Sequence, residues 1–230
     1  MSSSLLSGAV EREIIHWMKS KTRKRVGGGY QGEIYLYEKD GEHFIVKFAS
    51  GRGLLRLLRA RMLRNEFAAY QRLHEFDGSP RCYGLLNGKY LVLEFVNGIP
   101  VRRAPISDPA RFFDSLFVFI NELHARGVAH ADLKRQDNLL VVDGSRPCLV
   151  DFGMAVLRKE SFAPFNHFLF RLACQFDLNA WIKLKYRKRM SEVSVADRAY
   201  YHRTMIESGL REGKRIYKRI RRVLLRQPRR

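Results

Sequence analysis

Apolar and polar positions divide the chain into a strand-rich first part and a helical second part. Residues 34–37 and 43–48 read as strands joined by a turn at Asp40-Gly41. Residues 81–86 and 89–95 read as a second pair, turning at Asn87-Gly88. Between the pairs a long helical stretch runs over 54–76, its first half alternating leucines with arginines. A short amphipathic helix over 11–19 precedes them, with Ile14, Ile15, Trp17 and Met18 at its apolar positions. Asn97-Gly98-Ile99-Pro100 then breaks the chain. Beyond it, a helix is expected over 109–126, ending at Gly127, then short strands at 139–142 and 148–150 around Asp143-Gly144. From residue 165 to 230 the pattern predicts helices only. No internal repeat or low-complexity tract interrupts it. The order predicts an α+β architecture in two lobes, 1–96 and 97–230.

Composition adds the question of partners. The chain has 230 residues, 46% of them hydrophobic, enough for a sizeable core, and 29% charged, as in globular chains. Its 43 Lys and Arg against 23 Asp and Glu give a net charge of +20. Such a field favours a polyanion: nucleic acid, an anionic membrane surface or a phosphorylated substrate. Cys82, Cys148 and Cys174 are too widely spaced for a zinc site, so reduced, partly buried thiols are expected. Neither a secretory signal nor a run of about 18 apolar residues is visible. A soluble cytoplasmic protein, able to touch a membrane, is expected.

Gly27-Gly28-Gly29-Tyr30-Gln31-Gly32 fits G-x-G-x-x-G. Alone, the motif is as readily an ordinary glycine-rich turn. A dinucleotide site needs a helix directly after the glycines; a strand follows here, as in a kinase hairpin that folds over ATP phosphates. Gly27, Gly29 and Gly32 are the nucleotide-binding candidates, because glycine lets backbone approach phosphate closely. Lys47 ends the apolar strand Phe44-Ile45-Val46-Lys47, where a lysine needs partners. Nucleotide phosphates and a helix glutamate would supply them. Glu66 is the first choice for that glutamate, and Glu75, near the helix end, the fallback. Glu94 ends the last strand before the break, either at an adenine-binding segment or as an ordinary strand-end charge.

His130-Ala131-Asp132-Leu133-Lys134-Arg135-Gln136-Asp137-Asn138 carries the strongest signal. An acceptor hydroxyl needs a carboxylate to orient it and take its proton, and Asp132 fits. Lys134 is placed to offset charge on the transferred phosphoryl group, and Asn138 to ligate Mg²⁺ through its amide oxygen. His130 is expected to shape the loop by packing and hydrogen bonding. Asp151-Phe152-Gly153 follows an apolar strand, with Asp151 as a second Mg²⁺ ligand. The usual loop puts asparagine five residues after the aspartate; here the fifth is Asp137 and the sixth Asn138. One extra residue in the loop leaves both as metal-facing candidates.

Four motifs in this order resemble the protein-kinase-like superfamily over about residues 25–177. The resemblance implies a β-rich N-lobe, a reduced helical C-lobe, and ATP with Mg²⁺ as cofactors. After Gly153 there is no Ala-Pro-Glu motif and little room for an activation segment, as in atypical kinases. Residues 177–185 look like the reduced helix of lipopolysaccharide-kinase and RIO-type families, with Asp177 bracing the catalytic loop. The whole chain is similar to bacterial lipopolysaccharide-core (Kdo or heptose) kinases. That implies transfer to a sugar hydroxyl of an anionic lipid-linked saccharide by a monomer at the inner face of the cytoplasmic membrane. A basic amphipathic segment, 214–230, and a leucine-arginine stretch, 52–64, would suit peripheral contact with an anionic membrane, or else pack their apolar faces against a lobe with the arginines solvated. A RIO-like protein kinase, perched near nucleic acid as a weaker partner, and a non-catalytic ATP-binding module are the alternatives.

Overall fold

The computed structural model describes residues 5–20, 23–29 and 32–202. The expected basic helix at 214–230 lies outside them, as do Tyr30 and Gln31 of the glycine loop.

Ser7 opens α1 (Gly8–Trp17), its hydroxyl accepting the Val10 N–H. Strands β1 (Lys24–Gly29), β2 (Gly32–Lys39), β3 (Glu42–Phe48), β4 (Cys82–Leu86) and β5 (Tyr90–Glu94) form an antiparallel sheet in the order β1-β2-β3-β5-β4. Two turns close its hairpins with left-handed residue pairs. Asp40 and Gly41 have φ of 50° and 81°, and Asn87 and Gly88 have φ of 49° and 63°. At Asp40-Gly41, between paired Lys39 and Glu42, that is the backbone a two-residue hairpin requires, whereas the second loop spans three residues, 87–89, between paired Leu86 and Tyr90. Period-two alternation sorts β3 by face. Phe44 and Val46 pack with Tyr35, Tyr37 and Ile14 under α1, which leaves Ile45 and Lys47 on the opposite face.

The long helix α2 (Gly53–Arg72) runs behind that second face. Leu63, Glu66 and Tyr70 are buried at helical spacing, whereas Leu54, Leu55, Leu57 and Leu58 stay exposed. The helix was expected to reach residue 76. It stops at Arg72 because Glu75 turns left-handed, at φ 59°. Leu73 and Phe76 nevertheless remain buried, so the apolar pattern outlasts the helical backbone.

The segment 97–100, expected only to break the chain, supplies strand β6 (Gly98–Pro100). It pairs with β8 (Leu139–Val142), which pairs with β9 (Arg146–Leu149). A Cβ on Gly98 would sit 2.9 Å from the Leu140 side chain, so glycine lets these strands meet. Helix α3 (Pro109–Ala125) starts at the N-cap Asp108, with Pro109 in its first turn, and stops before Gly127 at φ 71°. Its Phe112, Leu116, Ile120 and Leu123 face the core. Strands β7 (Val128–Ala129) and β10 (Val156–Leu157) form a two-residue ladder. Helix α4 (Pro164–Lys185) crosses α3, and Trp181 Nε1 donates to Phe113 O at 2.8 Å. A short α5 (Val195–Arg198) follows. One core runs from Tyr70 of α2 and Leu73 just beyond it to Phe112 and Leu116 of α3. Burial pushes all three cysteine thiols up to about 12, so none is a thiolate at neutral pH. Among the described residues no helix is long and apolar enough to cross a membrane.

Candidate active site

Strands β2, β3, β5 and β8 meet at one cleft of about 330 Å³, walled by Ile34, Ile45, Leu93 and Leu140 and floored by Lys47 and Asp151. From β3, Lys47 reaches Glu66 of α2, Nζ to Oε1 2.6 Å, and Asp151, Nζ to Oδ1 3.2 Å. Glu66 is 2% exposed at its side chain, a setting in which a carboxylate needs a cation. Burial disfavours the Lys47 cation, but Glu66 and Asp151 outweigh it and hold its pKa above that of a free lysine. The same burial lifts the Glu66 carboxyl against the pull of Lys47. Glu75, the fallback partner, is exposed at the end of the helix and has no part in the cluster.

Asp151 adopts a left-handed backbone, φ 70° and ψ 68°, that turns the chain sharply after β9. Phe152 is thereby fully buried, with its ring 5.1 Å from Tyr70 and 4.7 Å from His130. The His130 ring is fixed at both nitrogens. Nε2 lies 3.0 Å from Val150 O, and Nδ1 accepts the Asp132 N–H at 3.4 Å, a pattern that puts the proton on Nε2.

Asp177 reaches the same loop from α4. Its Oδ2 accepts the His130 N–H at 2.8 Å and its Oδ1 the Ala131 N–H at 2.9 Å, with the residue 1% exposed. Ala131 has φ 63°, so the carboxylate holds a backbone turn that alanine would not choose. The loop aspartate, Asp132, is therefore presented by a braced turn.

Asn138 and Asp137 part company in the 3-10 turn that follows. Asn138 is buried, and its Nδ2 donates to Asp132 O at 3.1 Å and to Asp132 Oδ2 at 3.2 Å. That leaves the amide oxygen for a cation. Asp137 is half exposed and pairs with Arg102, Oδ1 to Nε 2.6 Å. Asn138, Asp137 and Asp151 all line one cleft and offer the oxygen donors that Mg²⁺ prefers, so the residues present fit a nucleotide-bound magnesium. Asp132 has its pKa raised by burial, an effect that Arg135, 3.9 Å away, partly counters. Lys134 is exposed on the loop.

The glycine hairpin carries a steric constraint of its own at one position. Gly29 stands opposite Gly32, and Gly27 opposite Ile34. A Cβ on Gly32, at φ 136°, would lie 2.3 Å from Phe48 O. Its own neighbouring strand therefore requires glycine there, before any phosphate is considered. Glu94 lines the cleft, but its carboxylate accepts the Arg81 N–H at 2.9 Å and so is tied to the sheet edge.

Two residues next to the expected ones carry contacts that sequence reading missed. Asn65 Nδ2 donates to Ala155 O at 2.7 Å, and Arg72 Nη1 to Gly127 O and Arg158 O at 2.9 and 2.7 Å. Both pin α2 to the segment after Gly153. Their one signal is position, since each shares a helix with Glu66.

The fold has a counterpart among solved structures. The Rio2 kinase from Chaetomium thermophilum superposes with a TM-score of 0.58, covering 91% of this chain and 80% of that one at 16% identity. In sequence, CBL-interacting protein kinase 25 of Oryza sativa subsp. japonica is 31% identical over 149 residues, 57% of this chain and 29% of that protein. Serine/threonine-protein kinase ppk34 of Schizosaccharomyces pombe is 34% identical over 67 residues, 29% of this chain and 19% of that protein. The chain thus spans less than a third of the length of these curated relatives. No protein-family model matches it. The fold is the two-lobed, protein-kinase-like α+β fold.

Proposed function

We propose that this chain is an atypical, RIO-like kinase that moves the γ-phosphate of ATP to a serine or threonine hydroxyl of a protein. One observation carries the reading: Lys47, Asp151 and Asn138 line a single cleft, with Glu66 bonded to Lys47 behind it and Asp132 bonded to Asn138 beside it, an arrangement suited to phosphoryl transfer. Protein kinases among the relatives support the acceptor class. Bound Mg-ATP would supply the phosphoryl group with part of its charge offset by the metal. The apolar walls at Ile34, Leu93 and Leu140 suit a purine, and Lys47 suits its phosphates. Asp132 takes the acceptor's hydroxyl proton as that oxygen bonds to phosphorus and the bond to the ADP oxygen breaks. Lys134 offsets charge on the phosphoryl group in flight.

A second reading rests on a different observation. The first turns of α2 expose Leu54, Leu55, Leu57 and Leu58 beside Arg52 and Arg56, an apolar and basic tip suited to an anionic membrane. An enzyme docked there would meet a lipid-linked saccharide of the lipopolysaccharide core. Labelled γ-phosphate transfer from Mg-ATP, offered a mixed protein substrate and Kdo-containing lipid A in parallel, separates the two. Phosphoserine or phosphothreonine is the expected product; label on lipid alone would establish the second reading instead.

A further inference from the structure

Beside the catalytic loop lies a second cavity, of about 600 Å³, which the chemistry above does not use. Its walls come from the stretch between β6 and α3, from Gln136 of the catalytic loop, and from the C-terminal end of α4. Arg102, Lys183, Lys185, Arg187 and Lys188 line it, and no carboxylate does.

Some of this charge is already matched. Arg102 pairs with Asp137 at 2.6 Å, and Lys185 with Asp197 at 2.8 Å and Asp114 at 3.5 Å. Lys183 stands over the Tyr201 ring at 5.5 Å, a contact that keeps its charge. Arg187 and Lys188 are exposed and pair with no carboxylate among the described residues.

The backbone at those two positions is unusual. Arg187 N donates to Leu184 O at 3.1 Å and Lys188 N to Lys183 O at 2.9 Å, closing α4 in a pattern where glycine is the usual residue. Arg187 has φ 48° and Lys188 φ 65°, both left-handed. Complementing the helix dipole accounts for Lys183 and Lys185 in the last turn. It does not account for two long cations in succession on backbone that glycine would hold with less strain.

We infer that this cavity is an acceptor subsite, which binds the carboxylate or phosphate group of an acidic polypeptide near the hydroxyl presented to Asp132. The inference rests on the protein-kinase reading above. Gln136 belongs to the turn that joins Asp132 to Asn138, so the two sites are neighbours along one loop. An extended polypeptide advances about 3.3 Å per residue and so can place a hydroxyl at one site and an acidic side chain at the other.

The test measures binding of a fluorescent serine peptide flanked by Asp and Glu to the full chain at about 0.15 M salt, against an alanine-flanked peptide. Wild type should bind the acidic peptide about tenfold tighter. Arg187→Gly/Lys188→Gly should remove most of that preference. Its melting temperature should not fall, because glycine suits left-handed backbone. Lys19→Ala/Lys89→Ala, which removes the same charge from exposed sites elsewhere, should stay within about twofold of wild type. Equal binding by the glycine variant, or an equal loss in the Lys19/Lys89 variant, would overturn the subsite. Tighter, Arg187- and Lys188-dependent binding of a phosphorylated saccharide would overturn the polypeptide as its ligand. If acidic peptide binds through this cavity but wild type with Mg-ATP never phosphorylates it, the subsite stands and the kinase reading falls.

Discussion

Lys47 Nζ lies 2.6 Å from Glu66 Oε1, a contact between a strand and a helix that share no local sequence signal. It locks α2 against the sheet and aims the lysine into the cleft, where it also meets Asp151. An assembled pair of this kind is the structural precondition for holding nucleotide phosphates.

Removing one partner should be costly. Lys47→Met leaves Glu66 buried without its cation, a loss of about 3–5 kcal/mol in urea denaturation. Lys47→Met/Glu66→Leu should recover most of that, because an apolar pair carries no unmatched charge. A single variant as stable as wild type would contradict the burial argument.

Asp177→Asn tests the brace under the catalytic loop. Asparagine keeps one acceptor oxygen, so either His130 N–H or Ala131 N–H loses its carboxylate. A stability loss of about 1.5–3 kcal/mol is expected, with a lower kcat and an unchanged KM for ATP. A higher KM for ATP with unchanged kcat would show that the brace serves nucleotide binding instead.

Glycines in the hairpin should differ sharply in tolerance. Gly32→Ala puts a Cβ against Phe48 O on strained backbone and should cost about 2 kcal/mol or more. Gly27→Ala meets only the Ile34 side chain at 3.6 Å and should fold as wild type does. Thermal melts of both variants decide it; equal losses would reject the steric explanation.

The pH profile of transfer should report Asp132. Burial raises its pKa above the ordinary 3.8, so the acid limb should lie above that of an exposed aspartate. Arg135→Ala removes a nearby cation and should move the limb higher still. A raised carboxyl pKa favours folding below the unfolded value, and that contribution is lost as pH rises through the folded value. Asp132→Asn should therefore be at least as stable as wild type at neutral pH. A limb that falls when Arg135 is removed would contradict the assignment.

Much of the site was legible because its residues sit in short contiguous motifs. The stretch from His130 to Asn138, Asp151-Phe152-Gly153, and Lys47 at a strand end each carry their own context. Glu66 could be chosen because helical spacing places it on the face that also buries Leu63 and Tyr70. The different settings of Asn138 and Asp137 needed coordinates, since only side-chain direction separates adjacent oxygen donors: one bonds to Asp132 and the other to Arg102. The contacts of Asn65 with Ala155 O and of Arg72 with Arg158 O were invisible because each target is a backbone carbonyl far along the chain. Gly32 was legible as a motif glycine, but its steric constraint was not, because that constraint is a carbonyl on the next strand. The end of α2 was misplaced because Leu73 and Phe76 stay buried after the helix has stopped.

The central claim is that Asp132 serves phosphoryl transfer within a cleft that binds nucleotide without it. The most direct test is γ-phosphate release or transfer from Mg-ATP by wild type and Asp132→Asn, with nucleotide affinity measured on the same samples. The account predicts a loss of turnover by about 10²–10⁴-fold in the variant with affinity for ATP retained. Equal turnover by the two proteins, or nucleotide binding by neither, would contradict it.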